Sequence, residues 1–313
     1  MANNNPVMAA SRSGSIYDLG YRHYEGPRRG RLWAMWSLYA ESLRGIWGLG
    51  RPATAKAVPL ILAGLYLLPA AFQLAFSSLI AQQIQRGETS MSDLFSYANY
   101  FGGLSIFVLF FCIAQAPEVV CRDQRYSVLP LYFTRSLGRI EYATARLASL
   151  TTAIFIVLML PNIALFIGDV LMKTDTFSAL GTEVPRSLPS IPASLLIAAS
   201  LAAISLALSS FTPRRAYAAI GIVAYFLLME AIPAAIYSIG EASNGGTGHG
   251  ADQLFLVTPL TSLTGATAWF FDTSLRAQGF LGNLTADEYL AASLASVAIF
   301  AAILLFRYRR VSA

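Results

Sequence analysis

The segment "LASLTTAIFIVLMLPNIALFIG", residues 147–168, contains no charged side chain in 22 positions. A helix rises about 1.5 Å per residue, so this run is long enough to cross a hydrocarbon core roughly 30 Å thick. A helix also satisfies its own backbone in lipid, which favours it over an open strand. Five further runs read the same way: 57–85, 94–117, 187–213, 216–240, which is broken only by Glu230, and 289–306. The composition agrees, since 56% of the 313 residues are hydrophobic and 12% are charged, about half the usual charged share of roughly 25%. The reading is all-α: a polytopic membrane protein with six transmembrane helices.

Basic residues set the orientation, because short cytoplasmic loops retain Lys and Arg. Eighteen of the 22 fall on one side: before Ala57, within 117–146, at Arg214 and Arg215, and at Arg307, Arg309 and Arg310. Only Arg86, Lys173, Arg186 and Arg276 fall on the other. Both termini and the 117–146 loop are therefore expected in the cytoplasm. The run "LFLVTPLTSLTGATAWFF", 254–271, is long enough to be a seventh span, but counting it would put Arg307, Arg309 and Arg310 outside. With Pro259 and Gly265 interrupting it, we read it as a re-entrant or surface-lying element in an outer region, 240–288, between spans five and six.

The chain divides into a cytoplasmic N-terminal segment, 1–56, a transmembrane domain, 57–306, and a cytoplasmic tail, 307–313. The first 50 residues lack the apolar core of a signal peptide and suit a cytoplasmic start. Within about 30–50, "GRLWAMWSLYAESLRGIWGLGRP" sets Leu32, Met35, Trp36, Tyr39, Leu43, Ile46 and Trp47 at helical spacing. An amphipathic helix carrying Trp33, Trp36, Tyr39 and Trp47 is suited to lying in the membrane interface. An ordinary helix packed on protein has the same pattern.

The chemistry-bearing residues are sparse. His23 and His249 are the only histidines, and Cys112 and Cys121 the only cysteines, so no zinc set of ordinary ligand spacing can be assembled. Lys56 and Lys173 are the only lysines and neither follows a glycine-rich phosphate loop, so any ATP chemistry belongs to another chain. Glu230 is the one acid clearly within a span. It reads either as a group lining a pathway or as a carboxyl satisfied by a neighbouring helix. No relay of acids crosses the spans, which disfavours an ion-coupled carrier. Ala198, Ala202, Ser205 and Ser209 form a small-residue face suited to close helix packing in lipid. Pro161 and Pro233 mark expected kinks.

The 117–146 loop, "PEVVCRDQRYSVLPLYFTRSLGRIEYATAR", mixes both charge signs with Leu129, Leu131, Tyr132 and Phe133. Retention of a cytoplasmic loop requires only the arginines. Aromatics together with Arg are the usual anchors of protein interfaces, so a docking role for a partner is the favoured reading.

The stretches "YDLGYRHYEGPRRGR" at 17–31, "RGIWGLGR" at 44–51 and "APEVVCRDQRYSVLPLYFTRSLGRIEYATARLAS" at 116–149 resemble the membrane subunits of type-2 ABC exporters, especially the separate permeases of actinobacteria. The resemblance covers most of the chain in topology and is specific in the N-terminal 35 residues or so and in the loop. It implies that Glu118 is the acid at the membrane edge. It also implies that Arg122, Asp123, Arg125, Tyr126, Leu129, Tyr132 and Arg135 belong to the region that couples to the ATPase. Ser136 stands where that family usually has proline, and Arg146 where lysine is usual.

By this resemblance the chain is a permease subunit in a bacterial cytoplasmic membrane, pairing with two ATP-binding subunits and a second permease, identical or different. ATP and magnesium would be bound by the partner, with no cofactor and no catalytic residue in this chain. Lipid is an expected partner and nucleic acid is not. The competing classes are a secondary transporter or channel, and an intramembrane enzyme, for which no Ser-His, Cys-His or metal set can be drawn.

Overall fold

A computed structural model describes residues 26, 30–76, 97–133, 137–172, 176–243, 252–272 and 284–310. Arg135, both histidines, most of 17–31 and all but the first residue of the Gly-rich loop at 243–250 lie outside them. Among the described residues every regular element is helical. In chain order these are α1 Arg31–Ile46, α2 Ala53–Ala75, α3 Tyr97–Arg125, α4 Leu129–Phe133, α5 Arg139–Met172, α6 Thr176–Ser187, α7 Ser190–Ser209, α8 Arg215–Ser243, α9 Pro259–Phe271 and α10 Ala286–Arg309, with a 3-10 turn at Asp252–Leu256 before α9. Among the described residues, five stretches are long and apolar enough to cross a membrane: Ala53–Ala75, Arg139–Leu171, Leu180–Ser209, Arg215–Ile239 and Ala286–Arg309. The architecture is that of a multi-pass α-helical membrane protein.

The small-residue helix is central. α7 packs against α3, α5, α8, α9 and α10, and Ala198, Ala202, Ser205 and Ser209 are all fully buried on it. Small side chains let the neighbouring backbones approach, which is how helices gain packing in lipid without a hydrophobic driving force. The Ser209 hydroxyl donates to the Ser205 carbonyl at 2.7 Å, so it stays satisfied within its own helix. On α5, Pro161 continues the helix, and the buried Asn162 amide donates to the Leu158 carbonyl at 2.8 Å.

The end of charge-free sequence does not mark the end of a helix. α3 runs through Pro117 and on to Arg125, eight residues past the apolar run, and α5 starts at Arg139, eight before Leu147. Most of the 117–146 loop is therefore helical extension, with the short α4 in between. Glu141 closes the start of α5 by accepting the Gly138 amide at 2.7 Å. At the far end of the chain, Thr285 and Glu288 form a reciprocal capping box that opens α10.

α1 packs one face on the bundle and leaves another edge exposed. Leu38, Ser42 and Ile46 are buried against the bundle, chiefly against α5. Tyr39 donates to the Thr152 hydroxyl at 3.0 Å, and Trp47 lies 5.9 Å from the Phe111 ring. Leu32, Trp33 and Trp36 remain exposed along one edge. The turn into α2 uses the glycines of "RGIWGLGR": Gly48 has φ +65°, Gly50 has φ +83°, and a Cβ on Gly48 would meet the Ala55 carbonyl oxygen at 2.8 Å. Only glycine accepts both that backbone and that approach.

Candidate functional site

The end of the bundle that carries the loop is organised around two carboxylates on α3. Asp123 is buried, and one of its oxygens accepts the Tyr142 hydroxyl at 2.7 Å and pairs with the Arg146 guanidinium. Arg146 also donates to the Ser42 hydroxyl on α1 at 2.7 Å, and the Ser42 hydroxyl in turn donates to the Leu38 carbonyl at 2.5 Å. Tyr142 and Arg146 are four residues apart on α5, so they share a face. The guanidinium stands 5.2 Å from the Tyr142 ring, and Tyr142 meets Tyr132 and Tyr308 in tilted contacts and Phe133 edge-on. Gln124 adds donations to the Ser210 carbonyl at 2.9 Å and to the Tyr308 hydroxyl at 3.3 Å. This one cluster ties α1, α3, α5, α7 and α10 together.

Glu118 sits five residues earlier on α3, about a turn and a half, and is flanked by arginines from two other parts of the chain. Arg51, from the glycine turn, approaches it at 2.5 Å, and Arg215, the first residue of α8, pairs with its other oxygen. The acid at the end of the apolar run thus joins the α1–α2 turn to α8. Beside it a cavity of about 730 Å³ opens between α2, α3 and α8.

The remaining loop residues divide by direction. Leu129 is buried and Asp123 turns inward, whereas Arg122, Arg125, Tyr126 and Leu131 are exposed. Tyr126 and Leu131 are each 66% exposed. Arg122, Tyr126, Leu131 and the half-buried Tyr132, with Asp123 and Val128, line an open cleft of about 720 Å³. Burial and the Asp123 carboxylate push the Tyr132 hydroxyl above its ordinary pKa, so it stays a neutral donor at the cleft wall. Ser127 adopts a left-handed backbone, φ +52°, that ends α3 and turns the chain into α4.

Glu230 accepts three hydrogen bonds from α9: the Leu260 amide at 2.7 Å, the Thr261 amide at 3.2 Å and the Thr261 hydroxyl at 2.7 Å. It supplies the N-terminal cap that Thr258 does not provide, and a carboxylate at a helix N-terminus is favoured by the peptide dipoles. The carboxyl is thus satisfied by a neighbouring helix.

Sequence reasoning passed over Arg51, Tyr142, Arg215 and Ser42. One signal was present: Tyr142 and Arg146, one helical turn apart in a charged segment, form a shared polar face. The chain matches no family model and none of the curated proteins.

Proposed function

We propose that this chain is the membrane subunit of an ATP-driven exporter, working with separate ATP-binding subunits. The observation that carries the reading is the open cleft of Arg122, Tyr126, Leu131 and Tyr132, held on a buried polar cluster instead of on a free loop. A surface that transmits force needs anchors with little play. The Asp123–Arg146–Tyr142 cluster supplies them by fixing the cleft to the base of the long helix α5. Tyr and Arg are favoured interface anchors, and the concave shape suits an inserted element of a partner.

In this proposal α2, α3, α5, α6 with α7, α8 and α10 form six spans, and α9 is a re-entrant helix on the outer face. α1 lies at the cytoplasmic interface, and both termini are cytoplasmic, as the basic-residue asymmetry favours. The membrane is the bacterial cytoplasmic membrane. Two ATPases, which bind ATP and magnesium, dock at two clefts contributed by two permease subunits. Closure of the ATPases on ATP moves the cleft, and α5 carries that motion into the spans. The cargo is an amphipathic or lipid-like compound. The chain itself performs no bond chemistry. Glu230, occupied in capping α9, gives no support to an ion relay.

Affinity capture of the subunit from mild detergent, with mass spectrometry and an ATPase assay on the eluate, tests the proposal. A co-purifying P-loop protein with ATPase activity is the expected result. An ATPase-free oligomer would overturn it in favour of a channel or secondary carrier.

A further inference from the structure

The cavity beside Glu118 has a different character from the docking cleft. One end is charged: Arg51 and Arg215 converge on a single carboxylate, and Glu118 is only 11% exposed between them. Two guanidinium groups against one carboxylate leave a net positive charge. Each guanidinium presents five donors in a planar fork, more than Glu118 can absorb, and that fork matches the oxygens of a phosphate. Apart from Gln115 and the backbone of Gly45, the rest of the wall is apolar: Val58 and Leu62 on α2, Phe110 and Ile113 on α3, and Ala219 on α8 are among its residues. Val58 is 48% and Phe110 49% exposed, so the apolar wall opens to the side of the bundle.

The charged end lies on the same side of the bundle as α1, because Gly45 and Arg51 line it. α1 presents Leu32, Trp33 and Trp36 at its surface, and such an aromatic edge belongs at the headgroup level of a bilayer. Cation at headgroup depth with aliphatic walls running away from it has the order of groups of a phospholipid. Basic pockets between membrane helices are favoured sites for anionic headgroups. The volume, about 730 Å³, lies within the usual range of small-molecule sites, and acyl chains can extend through the open side.

We propose that this cavity is a binding site for one anionic phospholipid, with its phosphate on Arg51 and Arg215 and its chains along Val58, Leu62 and Phe110. Glu118 is a positioning residue: it draws the two arginines to one end of the cavity. The site does not depend on the exporter reading and would serve equally in a channel or carrier. The occupied site joins the α1–α2 turn to α8 through the lipid as well as through Glu118.

The test uses the full chain in detergent micelles, given equal amounts of phosphatidylglycerol and phosphatidylcholine, with native mass spectrometry of retained lipid and thermal unfolding as readouts. Retained phosphatidylglycerol is expected to exceed phosphatidylcholine at least about fivefold, the preference that one arginine contributes near a membrane surface. Arg51→Gln with Arg215→Gln should abolish that preference. Val58→Trp leaves all three charged groups in place but fills the apolar wall, so it should lower phosphatidylglycerol retention and its stabilising effect. Should the arginine double variant fail to fold, Val58→Trp decides the matter. Equal retention of both lipids, or retention unaltered by Val58→Trp, would overturn the proposal. So would equal stabilisation by inorganic phosphate alone, which would mark a free-anion site.

Discussion

The Arg146 guanidinium and the Asp123 carboxylate form a buried ion pair between α5 and α3, each side chain only 9% exposed, with the Tyr142 hydroxyl on the same carboxylate oxygen. Removing one partner strands the other charge away from water, which costs far more than the net worth of the pair.

Asp123→Ala should therefore destabilise the protein by roughly 3–5 kcal/mol, read as the unfolding midpoint in detergent. Asp123→Leu combined with Arg146→Met and Tyr142→Phe should recover most of the loss, because no buried polar group is then left unpaired. A triple variant as unstable as the single one would contradict this account of the cluster.

The turn between α1 and α2 gives a graded comparison. Gly48→Ala combines left-handed strain with a collision against the Ala55 backbone, whereas Gly50→Ala has the strain and open space around it. A left-handed non-glycine residue costs about 1–3 kcal/mol, and the collision at Gly48 adds to that. Thermal melts should rank Gly48→Ala well below Gly50→Ala, and equal melts would refute the close approach.

α9 meets α10 at one crowded point. A Cβ on Gly265 would come within 2.3 Å of the Tyr289 ring, and overpacking of this kind costs about 1–3 kcal/mol. Gly265→Ala should lower the melting temperature, and adding Tyr289→Ala should remove the penalty specific to the alanine. Additive losses in the double variant would separate the two residues.

For Glu230, the capping geometry predicts a loss of about 1–2 kcal/mol in Glu230→Ala, because two amides at the start of α9 lose their acceptor. Glu230→Gln keeps an acceptor oxygen and should lose less. Transport per folded molecule should be unchanged in Glu230→Gln, and a selective loss of transport would restore the pathway role.

The spans were legible because lipid tolerates few charges, so the charge-free run from Leu147 to Gly168 announces a helix by composition alone. The central place of α7 was foreshadowed by its small residues. Side-chain direction was not legible. Arg122, Asp123 and Arg125 look alike as loop charges, yet Asp123 turns inward because its partner, Arg146, lies on the next long helix. Glu230 is answered by amides 30 and 31 positions later, and Glu118 by arginines 67 positions before it and at the start of α8. No local periodicity encodes such pairings. They depend on how the helices pack.

The central claim is that the cleft on α3 and α4 docks an ATPase. The most direct measurement is capture of partners from native membranes by the wild-type subunit and by a variant carrying Arg122→Ala, Arg125→Ala, Tyr126→Ala and Leu131→Ala. These four side chains are exposed, so their loss should leave the bundle folded. The account predicts that a P-loop ATPase co-purifies with the wild type and is lost, with its ATP hydrolysis, from the variant. An ATPase retained equally by both, or absent from both, would contradict it.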